Sequence, residues 1–127
     1  MEDKNSTKTI LVIEDDKSIS FMYKFKLEQK GYKVICAYNG QEGVKKAEEY
    51  RPDLALIDIM MPVLSGDLAL KEIRSTDWGK NIKALILTNI GKDEAPAILR
   101  FLDISGYIVK AHYTPTQVVE IIDKLLI

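Results

Sequence analysis

The sequence has one cysteine, Cys36, one histidine, His112, and one tryptophan, Trp78. A lone cysteine cannot close an internal disulfide, which points to a reducing compartment and leaves Cys36, inside an apolar strand-like run, as a core side chain. Charge of one sign is also missing. Lys+Arg 18 against Asp+Glu 19 gives a formal net charge of -1, which argues against nucleic-acid binding through bulk charge. No apolar stretch approaches the roughly 18 residues of a membrane span. Met1 to Lys8 is polar and lacks the apolar centre of a signal peptide. These absences predict a soluble, cytoplasmic protein with no membrane partner. No glycine-rich phosphate loop follows the first apolar run, which disfavours nucleotide binding. Repeats, low-complexity tracts and interdomain linkers are absent as well, and 127 residues suffice for one domain with a real core.

What the chain does have is alternation. Residues 1–7 read as a loose tail, and 8–127 as one domain. Thr9 to Ile13 is apolar and β-branched and is closed by Glu14, Asp15 and Asp16. From Lys17 to Lys30, Ile19, Met22, Tyr23 and Leu27 recur at helical spacing, with Phe21 and Phe25 on a neighbouring stripe. Gly31 stops that helix. Lys33 to Ala37 predicts a second strand, and Asn39-Gly40 opens a weaker helix to about Tyr50. The run 54–58 predicts a third strand, and a helix follows from about Asp67 to Ser75. Ile82 to Leu87 predicts a fourth strand. Asp93 can cap a helix whose Ala95, Ile98, Leu99 and Leu102 fit the i, i+3, i+4, i+7 template, with Pro96 in its first turn. Tyr107 to Val109 predicts a fifth strand. Thr114-Pro115-Thr116-Gln117 combines an N-cap, a first-position proline and a capping-box glutamine, and opens the final helix. Strands alternating with helices imply a parallel α/β sheet covered on both faces with right-handed crossovers.

In such sheets ligands bind outside the carboxyl ends of the strands, where strand order reverses. The predicted strand ends carry Glu14 and Asp15, Asp58, Thr88 and Lys110, four of five finishing in such a polar residue; the second strand, ending in Ala37-Tyr38, contributes no charge. If the first and third strands are neighbours, three carboxylates meet, and burying them unpaired is costly. A hard cation resolves the repulsion, and carboxylate and carbonyl oxygens suit Mg²⁺, or Mn²⁺ in its place. A lysine and a hydroxyl nearby can take the remaining oxygens of a phosphoryl group. The inferred chemistry is phosphoryl transfer with Asp58 as the nucleophile and Lys110 and Thr88 neutralising charge on the equatorial oxygens.

Four stretches then carry a resemblance: Ile10 to Asp16, Asp58-Ile59-Met60-Met61-Pro62 with Gly66 beyond, Leu87-Thr88, and Gly106 to Lys110. In that order and spacing the chain resembles the receiver domain of two-component response regulators over residues 8 to 127. The resemblance implies a flavodoxin-like (βα)5 three-layer sandwich with strand order 2-1-3-4-5, a family that the general rule for such sheets already includes. It implies phosphorylation of Asp58 by a phosphohistidine of a sensor kinase or phosphotransfer protein. Asp15, Asp58 and the backbone carbonyl of Met60 would hold Mg²⁺ directly, with Glu14 acting through water. Thr88 and Tyr107 match the pair that signals phosphorylation to the face made by helix 93–102, the fifth strand and the final helix. Such a protein modifies itself rather than turning over a substrate. Its output goes to a downstream protein partner, with a homodimer on that face as one option and no direct contact with nucleic acid.

Three positions depart from the family's commonest pattern. Ala111 follows the lysine where proline is usual; a cis bond there costs about 3–4 kcal/mol, so a trans bond with a rearranged loop, or visible strain, is expected. Asn89 is larger and more polar than the usual residue after the threonine. Met60 and Ile90 are apolar where polar side chains would orient an attacking water, which predicts slow loss of the phosphoryl group. A phosphorylation-independent interaction module on the same fold is the competing reading. A phosphatase with an aspartyl nucleophile is disfavoured because Met60 stands where the haloacid dehalogenase type usually places a second aspartate. His112, outside any helix, reads as a surface loop residue, and Trp78 as the anchor of the connection before the fourth strand.

Overall fold

The structure is a computed structural model that describes residues 7–127; residues 1–6, most of the expected tail, lie outside the described residues. Five strands form one parallel sheet: β1 (Thr9–Ile13), β2 (Lys33–Ala37), β3 (Leu54–Ile57), β4 (Lys83–Thr88) and β5 (Gly106–Val109), in the order β2-β1-β3-β4-β5. Four α-helices accompany them: α1 (Lys17–Gln29), α2 (Gly40–Tyr50), α3 (Gly66–Arg74) and α4 (Pro115–Leu125). This is the flavodoxin-like arrangement expected from the sequence. Among the described residues no helix is long and apolar enough to cross a membrane.

The sheet separates two cores. On one face Leu11, Ile13, Ala55, Ile57, Ala84 and Ile86 meet Ala47 of α2 and Leu70 and Ile73 of α3. On the other, Val12, Leu56, Leu87 and Ile108 meet Tyr23 and Leu27 of α1 and Val118 and Ile122 of α4. Alternate residues of each strand therefore enter opposite layers, and β3 is buried along its whole length. The helix boundaries follow local chemistry. Asp16 accepts the Ile19 amide at the start of α1, Asn39 accepts the Glu42 amide at the start of α2, and Thr114 and Gln117 form the expected reciprocal box on α4. The Phe21 and Phe25 stripe of α1 faces solvent, 68% and 55% exposed. His112 is exposed, Trp78 packs against the α2–α3 core, and Cys36 is half-buried against the α1–α4 core.

One expected helix is not an α-helix. Residues 93–102 are covered by two short 3-10 segments, Lys92–Glu94 and Ala97–Phe101. Pro96 explains the break. It has no N–H to donate, and it forces the preceding Ala95 into extended backbone (φ -62, ψ 141). What is left after Pro96 is shorter than a stable α-helix needs. The apolar spacing still selects the right inward side chains, since Leu99 and Leu102 are buried. Arg74, at the end of α3, fastens this region. Its Nε donates to Leu102 O (2.7 Å), Nη1 to Gly79 O (2.8 Å) and Ile82 O (2.7 Å), and Nη2 to Asp103 O (3.0 Å).

Candidate functional site

The carboxyl ends of β1, β3, β4 and β5 bring Glu14, Asp58, Thr88 and Lys110 to one edge of the sheet. β1 and β3 are adjacent, with Ile13 paired to Ile57, so the residues that follow, Glu14 and Asp58, emerge side by side. Glu14, Asp15 and Asp58 each offer a carboxylate oxygen, and these oxygens lie within 4.8 Å of one another. Glu14 and Asp58 are buried and Asp15 is exposed. Lys110 reaches across from β5: its Nζ donates to Glu14 Oε1 at 2.7 Å and to Asp58 Oδ2 at 3.0 Å. The second oxygen of Glu14 accepts the Asp16 amide (3.0 Å), and Asp58 Oδ1 takes a long contact from the Met60 amide (3.4 Å).

One ammonium thus touches two of the three carboxylates, Glu14 and Asp58. Burial, the largest effect, pushes Glu14 above its ordinary range, and the nearby Asp58 charge adds to this; the bonds from Lys110 and the Asp16 amide offset only part of it. For Lys110 burial acts downward and is the largest single effect. Its hydrogen bonds to Glu14 and Asp58, together with their charges, outweigh it and hold the lysine above its usual value. Both shifts favour added positive charge. The donor set is oxygen only and partly exposed, which fits a hard divalent cation such as Mg²⁺ that retains waters.

Thr88 is fully buried and makes no hydrogen bond to Asp58 or Lys110; its hydroxyl accepts the Ile90 amide (3.4 Å). The Tyr107 hydroxyl donates to the Ile90 carbonyl (2.8 Å). The two residues expected to act as a pair are therefore joined through the backbone of one residue, Ile90. Asn89 is exposed, and Ile90 packs on the α2–α3 core. Met60 is 64% exposed at the rim of the site. Among the described residues no peptide bond is cis, so the Lys110–Ala111 bond is trans, and Lys110–His112 forms a 3-10 turn. Of the two expected outcomes, the bond is trans.

The loop after Asp58 holds features the sequence reading did not single out. Val63 has φ 71, and Leu64 N donates to Pro62 O at 2.7 Å. That i→i+2 bond makes a γ-turn of the strained hand, here centred on a β-branched residue. Strain of this kind gathers at functional sites. Gly66 then returns the chain against the strand end, its N–H donating to Ile59 O (2.8 Å). A Cβ on Gly66 would stand 1.9 Å from Asp58 O. The obstacle is backbone and cannot rotate away, so Gly66→Ala is expected to cost about 3 kcal/mol in urea unfolding. An unchanged midpoint would show that the loop is not locked to Asp58. The glycine-after-proline spacing was the available signal for this close approach.

The response regulator receiver domain family model matches residues 10–123. Among curated proteins, the alkaline phosphatase synthesis transcriptional regulatory protein PhoP of Bacillus subtilis is 40% identical over 87 residues, covering 68% of this chain and 35% of that protein. The uncharacterized transcriptional regulatory protein YkoG of the same organism is 33% identical over 118 residues, covering 91% of this chain and 48% of that protein. The chain thus spans less than half the length of these relatives. A CheY-like response regulator receiver domain protein from Methanospirillum hungatei superposes with TM-score 0.86 at 29% identity, covering 94% of each chain. The buried acidic pair beside a lysine, at the carboxyl edge of a 2-1-3-4-5 sheet, accords with these matches, and the chain belongs to the response regulator receiver domain family.

Proposed function

We propose that Asp58 accepts a phosphoryl group from a phosphohistidine of a sensor kinase or phosphotransfer protein, in a reaction that requires Mg²⁺. The observation that carries this reading is the convergence of Glu14, Asp15 and Asp58 on one point, with Lys110 in contact with Asp58. An Asp58 oxygen attacks phosphorus, and the P–N bond to the donor imidazole breaks with its electron pair returning to nitrogen. Asp15, Asp58 and the Met60 carbonyl would hold the cation, with Glu14 acting through water, and a cation there would supply charge neutralisation for the phosphoryl oxygens. Lys110 turns from the carboxylates toward one phosphoryl oxygen, and Thr88 toward another.

Moving the Thr88 hydroxyl toward the phosphoryl group breaks its bond to the N–H of Ile90, the residue whose carbonyl accepts from Tyr107. A charge change at Asp58 therefore biases the position of Tyr107, and with it the face formed by segment 92–102, β5 and α4. A downstream protein, or a second copy of the chain, would read that face.

Intact mass after incubation with Mg²⁺ and a small acyl-phosphate donor is expected to rise by one phosphoryl group in the wild type and not in Asp58→Asn. Failure of the folded wild type to react would favour the phosphorylation-independent interaction module instead. Met60 and Ile90 offer no polar group to an attacking water. The phosphorylated form is accordingly expected to decay slowly, over many minutes, and decay within seconds would overturn that assignment.

A further inference from the structure

The opposite end of the sheet has the reverse charge. Lys8 immediately precedes β1, Arg51 lies three residues before β3, and Lys83 is the first residue of β4. These strands are adjacent, with Ile10 paired to Leu54 and Leu54 to Lys83, so their amino ends lie together. All three cations line one cavity of about 470 Å³, together with Asp53, Trp78 and Asn81.

The positive charge there is not consumed by the fold. Neither lysine ammonium has a hydrogen bond or ion pair among the described residues. Asp53, the carboxylate among these residues, already accepts the Thr9 amide at 2.8 Å. Arg51 spends one of its five N–H donors, Nε, on Glu48 O (2.6 Å). Its guanidinium lies over the Trp78 ring, 5.2 Å from the centroid. That contact places the guanidinium beside the ring and leaves its remaining donors free for a ligand. Arg51 is also held in left-handed backbone (φ 46, ψ 62) as the cap of α2, a conformation costly for a residue with a Cβ. The cap bond from its N–H to Ala47 O (2.9 Å) anchors it there.

We propose that this cavity binds a small soluble polyanion of the diphosphate class, gripped by Lys8, Lys83 and the Trp78-stacked Arg51. Lys8, Arg51 and Lys83 line the cavity against the single acidic side chain Asp53, and an anion would meet that excess of cationic side chains. Multivalent oxyanions supply the opposite charge along with acceptors matched to a guanidinium fork. This site lies at the pole of the sheet opposite Asp58 and does not depend on the phosphorylation reading.

Trp78 is the only tryptophan in the sequence, so its fluorescence reports on the cavity directly. Inorganic pyrophosphate, added to the full chain without divalent cations, is expected to give a saturable change that sodium chloride of equal ionic strength does not. The double variant Lys8→Ala/Lys83→Ala is expected to bind at least about tenfold more weakly, and Asp58→Asn to bind as the wild type does. Both lysines are outside the two cores, and unchanged thermal unfolding of the double variant verifies its fold. A change that does not saturate, equal affinity in the double variant, or loss of binding in Asp58→Asn would each overturn the proposal.

Discussion

Lys110→Met is expected to lower the unfolding free energy by about 3 kcal/mol in the absence of divalent cations, with most of the loss restored by Mg²⁺. The lysine is the cation that touches the buried Glu14 and Asp58, at 2.7 and 3.0 Å. Removing one partner of a buried ion pair leaves charge uncompensated, which costs far more than the intact pair contributes. Glu14 already lies above its ordinary 4.5 because burial outweighs its bonds. A carboxyl raised in the folded state favours folding fully only below its unfolded value, and that contribution fades as pH rises through the folded one. The deficit of the variant should therefore be small near pH 4 and grow toward neutrality. Lys110 follows the same sign in a higher pH window. Its folded value stands above the ordinary 10.5, so the wild type loses the lysine's contribution only as pH climbs beyond that. Chemical unfolding of both proteins across pH, with and without Mg²⁺, measures all of this. A variant equally stable at neutral pH without metal would refute the assignment of Lys110 as the resident counter-ion.

Arg74→Leu is the second large effect, expected at about 4 kcal/mol. The side chain is the donor to carbonyls of Leu102, Gly79, Ile82 and Asp103, which come from the two connections that flank β4. Leucine replaces the stem but leaves several part-buried acceptors unpaired, each worth about 1–3 kcal/mol. Lysine should rescue little, because a single ammonium cannot span acceptors that a planar fork reaches at once. A loss below about 1 kcal/mol in urea unfolding would mean that water replaces the guanidinium at these carbonyls.

Most of the site was readable because each of its residues ends an apolar run, and strand ends in a parallel sheet are brought together by topology. Glu14, Asp58, Thr88 and Lys110 needed no knowledge of long-range contacts beyond strand order. Helix 93–102 was misjudged because the apolar period is the same for any inward-facing helical turn. Proline's lost N–H and its effect on Ala95 decided the backbone type instead. Arg74 gave no signal: an arginine in the last turn of a helix is ordinary, and its acceptors are backbone groups up to 29 residues away. Val63 was equally silent, since a β-branched residue is among the last that sequence preference would assign to positive φ.

The edge position of β5 has a consequence for timing. β5 has four residues, pairs only with β4 among the described residues, contains Tyr107 and leads directly into Lys110. The strands that carry Glu14 and Asp58 lie deeper in the sheet and are flanked on both sides. Edge segments open before the core melts, so fraying of β5 withdraws the lysine and the tyrosine together while the acidic pair stays in place. The chain can thus visit a state that retains its carboxylates yet is chemically idle. How often it does so is set by the cohesion of a single short strand rather than by the stability of the whole domain.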